Sequence, residues 1–268
     1  MKTMILIIVL LLSAGPLHSF ANSPNHADPL SSDARYHNDA TIAFGIEADN
    51  DVADVYSSAP DTPKPDQEYI QAMQSFNRQM DEAMKNGSRQ QMREAANGFL
   101  RIAEGHPDRW HPPYYASLAY ALMGYMPGEN PDEQDAFFTE AERLAGESES
   151  MVSESQIAER AEITVLKGFI MMGQLSLRPS ERGQTLSPRV FKLFGEAIQM
   201  NEKNPRAQAL MARMQYATAS YTGQSTDGPC EVARNTFQLF DHEQEFQNDP
   251  LAPNWGRLIA NQLTSMCE

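Results

Sequence analysis

The sequence predicts an all-α chain: about nine helices stacked as antiparallel hairpins. Three observations lead there. Apolar residues recur at helical spacing from Gln67 onward. Asn-Pro, Ser-Pro and glycine steps punctuate those runs at short intervals. No alternating strand pattern of useful length interrupts them. Short connections make consecutive helices antiparallel neighbours.

Each element has its own signature. Ile70, Met73, Phe76, Met80 and Met84 form the apolar face of the first helix, which Asn86-Gly87 stops. Met92, Ala95, Phe99 and Ala103 form that of the second, ended by Gly105-His106-Pro107. The third covers about Pro113–Gly124, with Tyr115, Leu118, Ala119 and Leu122 inward. The fourth opens at Asn130-Pro131, a capping side chain followed by proline at the first helical position, and buries Phe137, Phe138, Ala141 and Leu144. The fifth is long, about Val152–Leu175, with Ile157, Ala161, Val165, Phe169 and Met172 on one face. The sixth is expected to open at Ser187-Pro188, which leaves Leu177–Thr185 as an insertion. The seventh opens at Asn204-Pro205 and carries Ala207, Met211, Ala212 and Tyr216. The eighth covers about Pro229–Glu245 and the ninth about Asn254–Met266.

The spacing within these helices resembles a degenerate tetratricopeptide pattern. Ala95, Phe99 and Pro107 occupy three of its four second-helix positions, with Ile102 in place of the expected Ala. Phe138 with Ala141, and Phe194 with Ala197, occupy two each. Phe-to-Phe spacings of 39 and 56 depart from the roughly 34 of a strict array. Such a unit cannot bury its apolar face alone, so it stacks on neighbours and leaves a groove.

The N-terminal quarter is different in kind. Met1–Ala21 reads as a secretory signal peptide: Lys2, an apolar run over Met4–Leu12, then Ser19-Phe20-Ala21 as the small-x-small cleavage step. Residues 22–66 read as a disordered acidic linker, with nine carboxylates against Arg35 and Lys64. Pro60, Pro63 and Pro65 close it as an extended spacer. Glu47-x-Asp49-x-Asp51 mimics the start of a calcium loop but lacks its glycine and closing glutamate, so it reads as solvated charge. The helical-repeat domain then runs over residues 67–268. A periplasmic or secreted location follows.

A formal charge of −15 argues against nucleic acid and anionic membrane surfaces as partners. Two cysteines in an exported chain point to one disulfide. Cys230 starts one helix and Cys267 ends the next, so an antiparallel hairpin brings them to the same end.

Nothing in the chain spells out catalysis. There is no Gly-x-Ser-x-Gly, no phosphate-binding Gly-x-x-x-x-Gly-Lys loop, and no metal-binding His-Glu-x-x-His. The cluster His106-Pro107-Asp108-Arg109-Trp110-His111 fits an inter-helix turn with Trp110 packed inward. No catalytic residue, cofactor or metal is therefore assigned. The first functional reading is a non-catalytic protein whose groove binds a protein or peptide in the cell envelope, with Arg206, Gln208, Arg213 and Tyr216 directed toward it. A second is a small-ligand receptor or enzyme with a pocket within 152–218, which a deep polar pocket with converging ionisable residues would mark. A third is a structural subunit of an envelope assembly.

The C-terminal third carries a more specific pattern: Asn204-Pro205-Arg206, Tyr216 with Tyr221, Gly223 with Gly228, Phe237 with Phe240, and Pro253-Asn254-Trp255-Gly256. In this it resembles exported tetratricopeptide-like proteins of Bacteroidetes. Those have a tight glycine run, whereas here Gln224–Asp227 separates Gly223 from Gly228. The resemblance implies fold and export and carries no activity with it.

Overall fold

The computed structural model describes residues 67–127, 130–246 and 249–268. The expected signal peptide, the expected acidic linker and the calcium-loop mimic fall on residues outside these. The described residues form nine helices in order: α1 (Gln67–Asn86), α2 (Arg89–Gly105), α3 (His111–Tyr125), α4 (Pro131–Ser150), α5 (Ile157–Leu177), α6 (Pro179–Met200), α7 (Pro205–Thr222), α8 (Asp227–Phe246) and α9 (Arg257–Met266). Among the described residues there is no strand, and no helix is long and apolar enough to cross a membrane.

Local chemistry sets three of the helix starts. The Asn130 side chain accepts from the backbone N–H groups of Asp132 and Glu133, both at 2.9 Å, so α4 starts where the Asn-Pro step predicts. Asn204 does the same for α7 through Ala207 N–H at 2.9 Å. Ser88 caps α2 by accepting from Gln91 N–H at 3.3 Å.

The start of α6 differs from expectation. The helix begins at Pro179, so the expected insertion is its first turns and Pro188 lies inside it. Proline at 188 removes one backbone donor from the helix interior. The turns ahead of it are held by a tertiary contact. Arg182 forms a bidentate pair with Asp135 of α4, at 2.7 and 2.6 Å, and also donates to Gln174 O at 3.1 Å. At the C-terminus α9 starts three residues after the expected Asn254, because Gly256 takes a left-handed conformation (φ 100°) ahead of it.

Each helix packs on the next, and the odd-numbered helices α1, α3, α5, α7 and α9 also touch in succession. The result is a stack of hairpins whose apolar faces close into one main core running from Tyr69 to Met214 and Leu251. Phenylalanine rings seat on glycines of facing helices. The Phe138 ring fills the space where a side chain on Gly124 or Gly173 would start, and Phe194 does so at Gly168. Phe138 and Phe194 therefore set how closely α3, α4, α5 and α6 approach. Two smaller clusters, Ala209–Phe240–Ala260 and Ala212–Ala233–Leu263, fasten α8 and α9 to α7.

Candidate functional site

The α8 sequence places Asn235, Gln238, Leu239, His242 and Glu243 on one helical face, at steps of three and four residues. That face borders a cavity of about 1080 Å³. The opposite walls are Ala158, Glu159 and Glu162 from the start of α5, Asn201 and Lys203 from the α6–α7 turn, and Gln208 from α7. Trp110, Asp249, Ala252 and Pro253 complete it. Trp110, Leu239, Ala158, Ala252 and Pro253 give an apolar wall; the remaining residues are polar or charged.

One wall is built on a buried charge. Arg206 is wholly removed from solvent. Its guanidinium donates to Glu162 through Nε at 2.8 Å and Nη2 at 2.7 Å, to Glu243 Oε2 through Nη1 at 2.8 Å, and to Glu243 Oε1 through Nη2. Burial works against its charge, but the two carboxylates outweigh that and hold the guanidinium protonated. For Glu243 the balance goes the other way. Burial pushes its carboxyl up, Arg206 offsets only part, and the Glu162 charge adds to the rise.

Glu162 is positioned by a second contact: Asn204 Nδ2 donates to its Oε1 at 2.6 Å, while the same side chain caps α7. Arg206 Nη1 also reaches Trp255 O at 3.3 Å. A side chain on Gly256 would start 2.8 Å from the Arg206 stem, so Gly256 is needed there for room as well as for its left-handed backbone. The Asn204-Pro205-Arg206 and Trp255-Gly256 motifs are thus two halves of one contact.

The segment after α8 is anchored to α3. Tyr115 Oη donates to Leu251 O at 2.9 Å and Ala252 O at 3.1 Å, and Trp255 Nε1 donates to Tyr114 Oη at 2.7 Å. His111 Nε2 meets Asp249 Oδ2 at 3.1 Å, and its ring stacks on Trp110 with centroids 4.1 Å apart. Burial would raise the Asp249 carboxyl, but the His111 hydrogen bond, the Leu251 N–H and the His111 charge together hold it below the ordinary range.

No protein-family model matches the chain, and no curated protein matches it. Among solved structures, the chain is similar to the HusA haemophore from Porphyromonas gingivalis. The two share 25% identity and a TM-score of 0.60, over 73% of this chain and 92% of the haemophore. The similarity to HusA, from a Bacteroidetes species, covers nearly the whole of that helical protein.

The residues singled out in the sequence go to different places. Of the four expected at a partner groove, only Gln208 lines the cavity, where its Nε2 donates to Glu202 O at 2.5 Å. Arg206 lies behind the wall, because two carboxylates from distant helices claim it. Arg213 is buried and its Nη1 lies 3.4 Å from Gln262 Oε1; Tyr216 Oη donates to Met266 O at 3.0 Å. Both sit at the α7–α9 contact. Cys230 and Cys267 are joined by a disulfide, with Cα atoms 5.7 Å apart. Trp110 packs inward at 8% exposure, as its turn predicts. His106 and His111 separate: His106 packs on Tyr69 and His111 on Trp110. Glu162, His242 and Glu243 were not anticipated. The three-and-four spacing on α8 was the available signal for the last two.

Proposed function

We propose that the protein is an exported, non-catalytic binding protein whose cavity between α5, α7 and α8 carries a haem-like porphyrin as cargo. The observation that supports this most is the likeness to a haemophore over 92% of that chain. The cavity is consistent with it. Its volume, about 1080 Å³, is just above the usual range for small-molecule sites, roughly 300–1,000 Å³, and suits a large ligand. Leu239, Ala158, Ala252 and Pro253, with Trp110 behind them, give apolar surface for a macrocycle, and Lys203 offers a cation to its carboxylates. The acidic wall is less hostile to an anionic ligand than its composition implies, since Arg206 faces Glu162 and Glu243, and His111 faces Asp249.

Ionisable groups converge on this cavity, which favours a small ligand over a polypeptide laid in an open groove. In this reading residues 1–21 direct export, residues 22–66 form an acidic tether, and residues 67–268 hold the cargo in the envelope or outside it. Haem is freight here, not a resident cofactor. The test uses the two tryptophans of the chain, Trp110 in the cavity wall and Trp255 bonded to Tyr114. Adding haemin to the purified protein should quench their fluorescence saturably at one equivalent, and Trp110→Phe should remove much of the change. Quenching that never saturates, or that matches free tryptophan, would reject the reading.

A further inference from the structure

Resting on that reading, we infer that His242 is the axial ligand of the porphyrin iron, so that the cavity selects a metalloporphyrin over the metal-free ring. Protein donors to haem iron are imidazole, thioether, thiolate and phenolate. The described cavity lining contains no Met, Cys or Tyr, and His242 is its one imidazole. The other histidine nearby, His111, is turned to Asp249 and stacked on Trp110. Three of the four carboxylates in the lining are committed as well, Glu162 and Glu243 to Arg206, and Asp249 to His111 and Leu251 N–H; the fourth, Glu159, is not among the donor types that haem iron takes from proteins.

A single imidazole is a poor site for a bare ion, which needs several protein donors. Among the described residues, no three His, Cys, Asp or Glu side chains come together as a metal cluster. A porphyrin removes that need, because its own four nitrogens supply most of the donors and a single protein side chain is enough to hold the iron. The position of His242 suits this role. It stands between Leu239 and Glu243 on the α8 stripe, so apolar surface lies one turn before it and the Arg206-held carboxylate directly after it. An imidazole bound to a metal through one nitrogen commonly donates its other N–H to a neighbour, so further contacts of His242 are compatible with ligation.

The experiment titrates the purified protein with haemin and, separately, with metal-free protoporphyrin IX, following absorbance and resonance Raman bands. The wild type should give an imidazole-ligated haem spectrum. His242→Ala should lose that signature and at least about tenfold in haemin affinity, the lower end of what perturbing even an outer-shell partner of a metal ligand costs. Added free imidazole should restore the spectrum, and affinity for the metal-free ring should stay within about twofold. His242→Met supplies a thioether and should give a different axial signature. His242 is solvent-exposed, so these variants should melt like the wild type. If His242→Ala binds haemin with the wild-type spectrum and affinity, the ligand assignment is wrong while the haem reading stands. If neither porphyrin binds the wild type, both fall.

Discussion

Arg206 holds both carboxylate oxygens of Glu162 at once, Nε to Oε2 at 2.8 Å and Nη2 to Oε1 at 2.7 Å, fixing the first turn of α7 against α5. The two residues are 44 apart in sequence, and the guanidinium has no access to solvent. Such a pair is costly to desolvate, so its net contribution to stability is small. Its geometry matters more: it sets α5 against α7 and, through Glu243, α8 against both.

Breaking one side of this arrangement should be far worse than replacing all of it. Glu162→Ala leaves a buried guanidinium short of one partner, and a loss of roughly 3–5 kcal/mol is expected in urea denaturation. The triple change Arg206→Met, Glu162→Leu, Glu243→Leu fills the space with apolar side chains and should lose much less. Equal losses from the two variants would show that packing, not charge, dominates here.

Glu243 makes stability depend on pH in a recognisable direction. Its folded-state pKa is raised, so the native chain keeps this proton over a window where the unfolded chain has released it. Stability from this group is therefore greatest below the ordinary glutamate value of about 4.5 and falls as pH climbs through the raised one. Asp249 and Asp135 have lowered pKa values, so their contributions are lost only on acidification below about 3.8, outside that window. Glu243→Gln should flatten the fall in melting temperature between pH 4.5 and neutrality. An unaltered slope in the variant would assign the dependence to another group.

How much of this was readable in advance depends on how far apart the interacting residues lie. Asn130 and Asn204 act on backbone two and three residues away, so their caps, and the helices they begin, were legible. The α6 start was not. Ser187-Pro188 has the local form of a helix entry, while the bond that keeps residues 179–187 helical reaches Asp135, 47 residues back. Arg206 read as a groove residue because a long cation in a first helical turn is ordinarily solvated. Its burial follows from Glu162 and Glu243, 44 and 37 residues away. The cavity draws its walls from α5, α7, α8 and three connecting segments, so no contiguous motif encodes it. The Asn-Pro-Arg and Trp-Gly motifs were visible separately, but their contact through the Arg206 stem is a property of the fold.

The glycine seats predict a sharp contrast between two substitutions. A Cβ on Gly173 would lie 2.3 Å from the Phe138 ring, which is itself pressed against Gly124. Gly173→Ala should therefore destabilise by about 1–3 kcal/mol through overpacking. Gly146 in α4 is exposed and has nothing within 4 Å of the same position, so Gly146→Ala should be neutral or stabilising by up to about 1 kcal/mol. Thermal melts of the two proteins decide it, and a Gly173→Ala protein as stable as the wild type would mean that Phe138 repacks freely.

The disulfide should matter most for the last two helices. Cys230 stands in the first turn of α8 and Cys267 just past the end of α9, and the bond closes a loop with a sequence separation of 37. Beyond it, α9 relies on small contacts: Leu263 against Ala212 and Ala233, Ala260 against Ala209 and Phe240, the Arg257–Asp241 ion pair, and the Arg213–Gln262 and Tyr216–Met266 hydrogen bonds. A loop of this length is worth about 4 kcal/mol in the chain-entropy view. Reduction, or Cys230→Ser with Cys267→Ser, should lower the urea midpoint. Amide exchange should rise first in residues 257–266, ahead of α3 to α5, whose core does not depend on the bond. Because α8 also presents Leu239, His242 and Glu243 to the cavity, the reduced protein should bind haemin more weakly. A midpoint indifferent to reductant would show that packing on α7 alone suffices to hold the C-terminal hairpin.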